Sequence, residues 1–284
     1  MSYFDRRGFL RGGLALLATL AMPIRPAQAA IASLNEAINK AGRMRMLSQR
    51  MAKAYCQLGQ NILPDQSRRI LDLSLKLYQE HLDELKAYAP SEDIKATYAE
   101  LESIWLRYRQ LLAAAPSLDN ARVIAQINED ALRVAHLGTT QLELFSTSSV
   151  GRLVNISGRQ RMLSQRVAKF YMIRRWGVGN ASMDSEAQLA KREFLSAMDA
   201  LERAPENTAK IKGELELART QWLFFDQALQ QQNAGGKDAS HAANVATTSE
   251  RILEVMDRVT NLYAQLGGTA ITPPAAKPAH PPRR

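Results

Sequence analysis

Apolar residues recur at intervals of three and four from Ile31 onward, and the recurrence stops where proline or glycine interrupts it. This pattern predicts a first helix over 31–61, ended by Leu63-Pro64-Asp65, and a second over 66–88, ended by Pro90. A third covers 91–115, opened by Ser91 with acidic residues in its first turn and closed by Pro116. A fourth starts at Ser117.

The second half repeats this plan. "INKAGRMRMLSQRMAKAY" (38–55) returns as "VNISGRQRMLSQRVAKFY" (154–171), with 12 of 18 positions identical. Ala89-Pro90 corresponds to Ala204-Pro205, Trp105 to Trp222, and "NEDALRV" (128–134) to "SERILEV" (249–255). The offset between copies drifts mainly where loops belong, such as "NAGGKD" (233–238). Four amphipathic helices with short connections make an up-down-up-down bundle. The expected fold is therefore all-α, with tandem antiparallel four-helix bundles at 30–146 and 147–266.

No proline occurs from Leu118 to Trp176, and Gly138 and Gly151 do not force a break. The fourth helix is thus expected to run into the fifth and stack the bundles end to end through a long shared helix. "STSSVG" (146–151) is the place for a kink, and a fold-back with the bundles side by side is the alternative.

Both ends differ from the body. Residues 1–29 hold "DRRGFLRGG", the apolar run "LALLATLAMPI" and "AQA" before Ala30, the order of a cleavable export signal. Arg6-Arg7 followed by Gly8-Phe9-Leu10 resembles the twin-arginine signal of bacteria. The expected destination is the periplasm. Residues 267–284 are Pro-rich and read as a disordered tail.

The formal charge of +9 changes little once divided. Arg6, Arg7, Arg11 and Arg25 against Asp5 supply a third of it, and Lys277, Arg283 and Arg284 another third. The body carries no continuous Lys/Arg stripe, so no nucleic-acid partner is expected. Aromatic residues are only 6% of the chain, which favours helix over sheet. Cys56 is alone and the four histidines stand far apart, so neither an intrachain disulfide nor a Cys-based metal cluster is expected. There is no HExxH, GxGxxG or P-loop pattern, and no nucleophile paired with a base. The expectation is a protein that is not an enzyme and needs no cofactor or metal.

The repeated segment holds the remaining chemistry. At 100° per residue, Arg45 shares its helix face with Leu34, Ile38, Ala41, Gly42, Ser48, Gln49 and Ala52. Arg161 inherits the same surroundings: Val154, Ser157, Gly158, Ser164, Gln165 and Ala168. Arg43 and Arg50 lie together on another side. For them and for Arg159 and Arg166 the plain reading is solvation or pairing with Glu on a neighbouring helix. Met44, Met46, Met51 and Met162 read as core filler and Trp105 and Trp222 as packing. A small-residue face lets another helix approach closely, and an arginine buried there needs an acceptor. Two such guanidiniums facing each other repel unless an anion lies between them, and a small planar oxyanion suits both forks. Ser48, Gln49 and Ser164 stand near enough in sequence to add polar contacts.

"INKAGRMRMLSQR" resembles the periplasmic-sensor motif of the PilJ/NarX-like family, over both halves of the chain. That family comprises nitrate/nitrite sensor-kinase input domains and type IV pilus chemotaxis transducers. The resemblance implies four-helix input domains whose motif arginine binds the anion at a dimer interface, near the motif glycine and lysine. By position these are Arg45, Gly42 and Lys40 in the first copy, and Arg161 and Gly158 in the second, where Ile156 replaces the lysine. The output machinery of such sensors has no counterpart here.

The reading from sequence is an exported, soluble sensor or binding protein for a small oxyanion, nitrate or nitrite first. It is expected to act as a possible homodimer and to signal to an unidentified membrane or periplasmic partner. The rival is a structural or adaptor module for a pilus, chemotaxis or sensor-kinase complex, with no small-molecule ligand. That rival expects acidic residues on neighbouring helices to satisfy Arg45 and Arg161.

Overall fold

A computed structural model describes residues 31–146, 148–230 and 239–266. The expected export signal at 1–29, the expected tail at 267–284 and the 233–238 loop lie outside those residues. Eight helices order the described chain: α1 (Leu34–Gly59), α2 (Pro64–Tyr88), α3 (Glu92–Ala113), α4 (Leu118–Leu144), α5 (Ser149–Arg175), α6 (Ala181–Glu202), α7 (Ala209–Gln230) and α8 (Ala239–Leu266).

Local chemistry sets most of the boundaries. Ser33, Ser91, Ser117 and Asn180 each cap a helix by accepting a hydrogen bond from the amide three residues on. Between α1 and α2 the chain turns through Asn61 and Leu63, both at positive φ, before Pro64 opens the next helix. Leu63 is an uncommon residue for that conformation, and its side chain packs on the core.

Helices α1–α4 form one antiparallel bundle and α5–α8 a second. Each is filled by an aromatic triad at matching repeat positions. In the first, Tyr78 lies 4.3 Å from Trp105, which meets Tyr108 edge-on. In the second, Phe194 stacks at 4.0 Å on Trp222, which meets Phe225 edge-on. Both tryptophans are packing residues, and Met44, Met46, Met51 and Met162 lie in the core.

The bundles are not stacked through a shared helix. The chain breaks after α4, and α5 runs beside α1, parallel and nearly in register. Gly42 meets Gly158, the Lys53 ammonium donates to Gln165, and the Gln60 amide donates to the Met172 carbonyl. Burial explains why this arrangement replaces the expected one. α1 buries 19 of its 26 residues, against 8 of 25 in the peripheral α2. A helix apolar all round must be covered on every side, and stacking would leave the Arg45 face of α1 in water. The return is tight: a Cβ on Gly151 would lie 2.6 Å from that of Ser146, so only glycine fits there.

The two bundles are therefore related by a pseudo-twofold axis along the α1–α5 seam, and their charges pair across it. Lys53 of α1 donates to Glu250 of α8 at 2.5 Å, and Arg50 pairs with the same carboxylate. In the mirror relation, Lys169 of α5 donates to Glu129 of α4 at 2.6 Å, joined by Arg166 at 2.7 Å. Both lysines are fully buried. Burial pushes the Glu250 carboxyl upward, but Lys53 and Arg50 outweigh it and hold the group at about 2.

That depressed value fixes a pH dependence. The Glu250 contribution is complete above its unfolded value of 4.5 and is lost as pH falls toward 2. Glu250→Gln should cost about 3 kcal/mol at pH 7, because it strands a buried ammonium. The difference from wild type should shrink by pH 3. Urea denaturation of both proteins at the two pH values measures this, and an undiminished gap would contradict the assignment.

Candidate arginine site at the helix seam

Where α1 and α5 cross at Gly42 and Gly158, the missing side chains make room for two guanidiniums. An ideal Cβ on Gly42 would lie 3.2 Å from Arg45 Nη2 and 3.4 Å from Arg161 Nη2. One on Gly158 would lie 3.1 Å from Arg161 Nη2 and 3.7 Å from Arg45 Nη2. The arginines thus converge on the glycine pair from opposite bundles, and both are fully buried.

Their partners follow the pseudo-symmetry up to a point. Arg45 Nη2 donates across the seam to the carbonyl and side-chain oxygens of Asn155, at 3.2 and 2.7 Å. Arg161 Nη2 donates to the carbonyl of Asn39 at 3.2 Å. The symmetry fails at Nη1. Arg161 Nη1 donates to Asp257 Oδ1 of α8 at 2.6 Å. Arg45 Nη1 instead lies 3.2 Å from His136 Nδ1 of α4. The Nε atoms of both arginines have no hydrogen-bond partner.

The electrostatics are strained accordingly. Burial, then the charges of Arg159 and Arg161, pull Arg45 down to about 9, with Glu143 and Glu193 opposing. Burial pulls Arg161 to about 10, opposed first by Asp257 and deepened by Arg43. Both stay charged at neutral pH. His136 is pressed to about 4 by burial and by Arg45 and Arg159, so it faces Arg45 as a neutral acceptor.

The other residues singled out from sequence lie elsewhere. Lys40 bonds Glu84 at 2.8 Å and Glu36 at 3.2 Å, on the α1–α2 side. Ser48 and Ser164 spend their hydroxyls on the carbonyls of Arg45 and Arg161, at 2.8 and 2.9 Å. Gln49 donates to Ser48. Arg43 pairs with Asp257, Arg50 with Glu250, Arg159 with Glu193, and Arg166 with Glu129 and Glu186. Cys56 is buried, which pushes its thiol up to about 12 and leaves it inert. Among the described residues no group of His, Cys, Asp and Glu is placed to hold a metal, and no helix is long and apolar enough to cross a membrane.

Sequence reasoning missed His136, Asp257, Asn39 and Asn155. The first two were within reach: extending the match of "NEDALRV" to "SERILEV" by two residues sets His136 opposite Asp257.

Comparison with known families bears on this geometry. Residues 29–129 match the PilJ family, the N-terminal part of type IV pili methyl-accepting chemotaxis transducers. The first bundle is thus similar to the N-terminal module of such transducers, and the match includes Gly42, Arg45 and the glycine-bearing face of α1. The second bundle lies outside the matched residues, and its kinship to the first rests on the internal repeat. Neither the curated proteins nor the solved structures gave a match.

Asp257 carries two arginines at once, Arg43 and Arg161, each at 2.6 Å. Asp257→Asn should therefore destabilise the fold by about 3 kcal/mol. His136→Ala removes only a neutral, exposed acceptor and should cost about 1 kcal/mol. Chemical denaturation of the two variants side by side measures the contrast; equal costs would mean that the half-sites are energetically alike.

Proposed function

We propose that this chain is a non-catalytic sensor that binds a small oxyanion, nitrate or nitrite first, between Arg45 and Arg161 at the Gly42–Gly158 crossing. The observation that carries this reading is the pair of fully buried guanidiniums facing each other, of which only Arg161 has a directly bonded carboxylate, Asp257 on its outer side. A buried cation without a full set of acceptors is costly. An anion held by both forks would remove that cost and would occupy the idle Nε donors. The PilJ match supports the sensory role, and the resemblance of the motif to nitrate-sensing relatives supports the choice of anion.

The two copies that such a site requires are the two repeats of one chain, so binding needs no second protomer. The anion would hold α1 and α5 together at the crossing and so favour one packing of the seam over others. That change would pass to a membrane or periplasmic partner, after export directed by residues 1–29. Lys40, Ser48 and Ser164 would act indirectly, by holding α1 and α5 in place.

One observation favours the adaptor reading instead. Asp257 already satisfies Arg161, as a module without a ligand would require. Titration calorimetry in chloride-free buffer separates the readings. The wild-type chain should release heat with nitrate or nitrite, and Arg45→Ala and Arg161→Ala should abolish it. Silence with both anions, in a protein that melts cooperatively, would establish the adaptor.

A further inference from the structure

The two half-sites differ at one symmetric position. Asp257 closes the α8 side, clasped by Arg161 and Arg43. On the α4 side the same position is His136, whose ring is exposed while its Nδ1 reaches the buried Arg45. A cleft of about 240 Å³ opens there between α4, α5 and α6. Its lining includes Arg133, His136, Arg159, Arg166, Glu129 and Glu193. Arg159 and Arg166 are tied to Glu193 and Glu129, whereas His136 has no carboxylate bonded to it. His136 thus both lines the cleft and touches Arg45, its Nδ1 lying 3.2 Å from Nη1.

The charges around the seam show what could pass. Arg43 and Arg161 share Asp257, Arg159 pairs with Glu193, and Arg45 reaches Glu143 only through Asn155, so these bonded groups carry one positive charge in excess. One monovalent anion neutralises that excess. A divalent anion reverses it inside a buried seam, where uncompensated charge is costly.

We propose that His136 is the gate and specificity residue of the seam: one monovalent oxyanion per chain enters through the α4–α5–α6 cleft by displacing the imidazole from Arg45 and comes to rest at the Gly42–Gly158 crossing, while Asp257 is a built-in counterion that permanently fills the position mirroring His136. This rests on the anion reading above and goes beyond it in route, stoichiometry and valence. On entry an oxygen replaces Nδ1 as the acceptor for Nη1, and the idle Nε–H of Arg45 lies on the other edge of the guanidinium, beside Nη2. The displaced ring turns outward into the cleft that it already lines. A neutral acceptor yields its place readily; a carboxylate there would not, as Asp257 shows on the other side.

Calorimetry with potassium nitrate and potassium sulfate tests this on the wild type, His136→Asp and Asp257→Asn. The wild type should bind one nitrate per chain and bind sulfate at least tenfold more weakly. His136→Asp reproduces the Arg161–Asp257 pair at Arg45, so it should fold, melt at or above the wild-type temperature and bind nitrate at least about tenfold more weakly. Asp257→Asn should bind nitrate more tightly and gain affinity for sulfate, and nitrate should raise its melting temperature more than that of the wild type. Where Asp257→Asn proves too unstable, His136→Asp with the wild-type stoichiometry suffices. Wild-type affinity in His136→Asp, or two nitrates per wild-type chain, overturns the gate and leaves the anion site standing. No nitrate binding by the wild type overturns both.

Discussion

Four fully buried cations, Arg45, Arg161, Lys53 and Lys169, lie along the seam between two parallel helices. Taking such groups out of water costs several kcal/mol each unless they are paired and hydrogen-bonded. The chain meets this cost with partners from the opposite bundle: Glu250 for Lys53, Glu129 for Lys169, Asn155 for Arg45 and Asn39 for Arg161. Neither bundle supplies all the acceptors that its own motif helix uses. The side-by-side arrangement is therefore as much an electrostatic requirement as a hydrophobic one. The register follows too, because a slip of one residue along α1 would misplace every cross-seam pair.

A duplicated chain has a freedom that a symmetric dimer lacks. In a twofold homodimer the two half-sites are identical by construction, and any carboxylate placed on one guanidinium is placed on both. Here the repeats can diverge, and at the position that meets Nη1 they have: aspartate in α8, histidine in α4. A symmetric pair of aspartates would cancel the excess positive charge and leave nothing for an anion to neutralise. A symmetric pair of histidines would leave two guanidiniums opposed with no carboxylate bonded to either. The mixed pair retains a single unit of positive charge.

Periodicity and proline punctuation made the eight helices legible, because those signals are local. The repeat made the bundle pairing legible, and the small-residue face around Arg45 correctly marked a helix seam. What the sequence concealed was relative placement. Continuity of helical pattern across 118–176 argued for one long helix, since nothing local forbids it. The turn at Ser146 exists because α1 and α5 need each other's faces, which is a tertiary demand. Likewise, Ser48 and Ser164 look available in sequence, yet buried hydroxyls on a helix bond readily to the carbonyl one turn back. Lys40 was suggested by resemblance, but its neighbours Glu36 and Glu84 claim it.

The seam has two zones of unlike stiffness. Toward the C-terminal ends of α1 and α5, Lys53 donates to Gln165, Ser249 and Glu250, and Lys169 to Asn128 and Glu129. Nearer the N-terminal ends lies the arginine crossing, where donors stand idle and glycine backbones, rather than side chains, make the contact. A ligand shifts a packing equilibrium only through its differential affinity for the alternatives, and differential affinity requires groups that are better satisfied in one packing than in another. The arginine zone offers such charged groups in its two idle Nε donors. Any movement driven by an anion would then centre on the Gly42–Gly158 crossing, with the lysine pairs as its pivot, and it would reach α4 and α8 directly, because His136 and Asp257 bond the two arginines there.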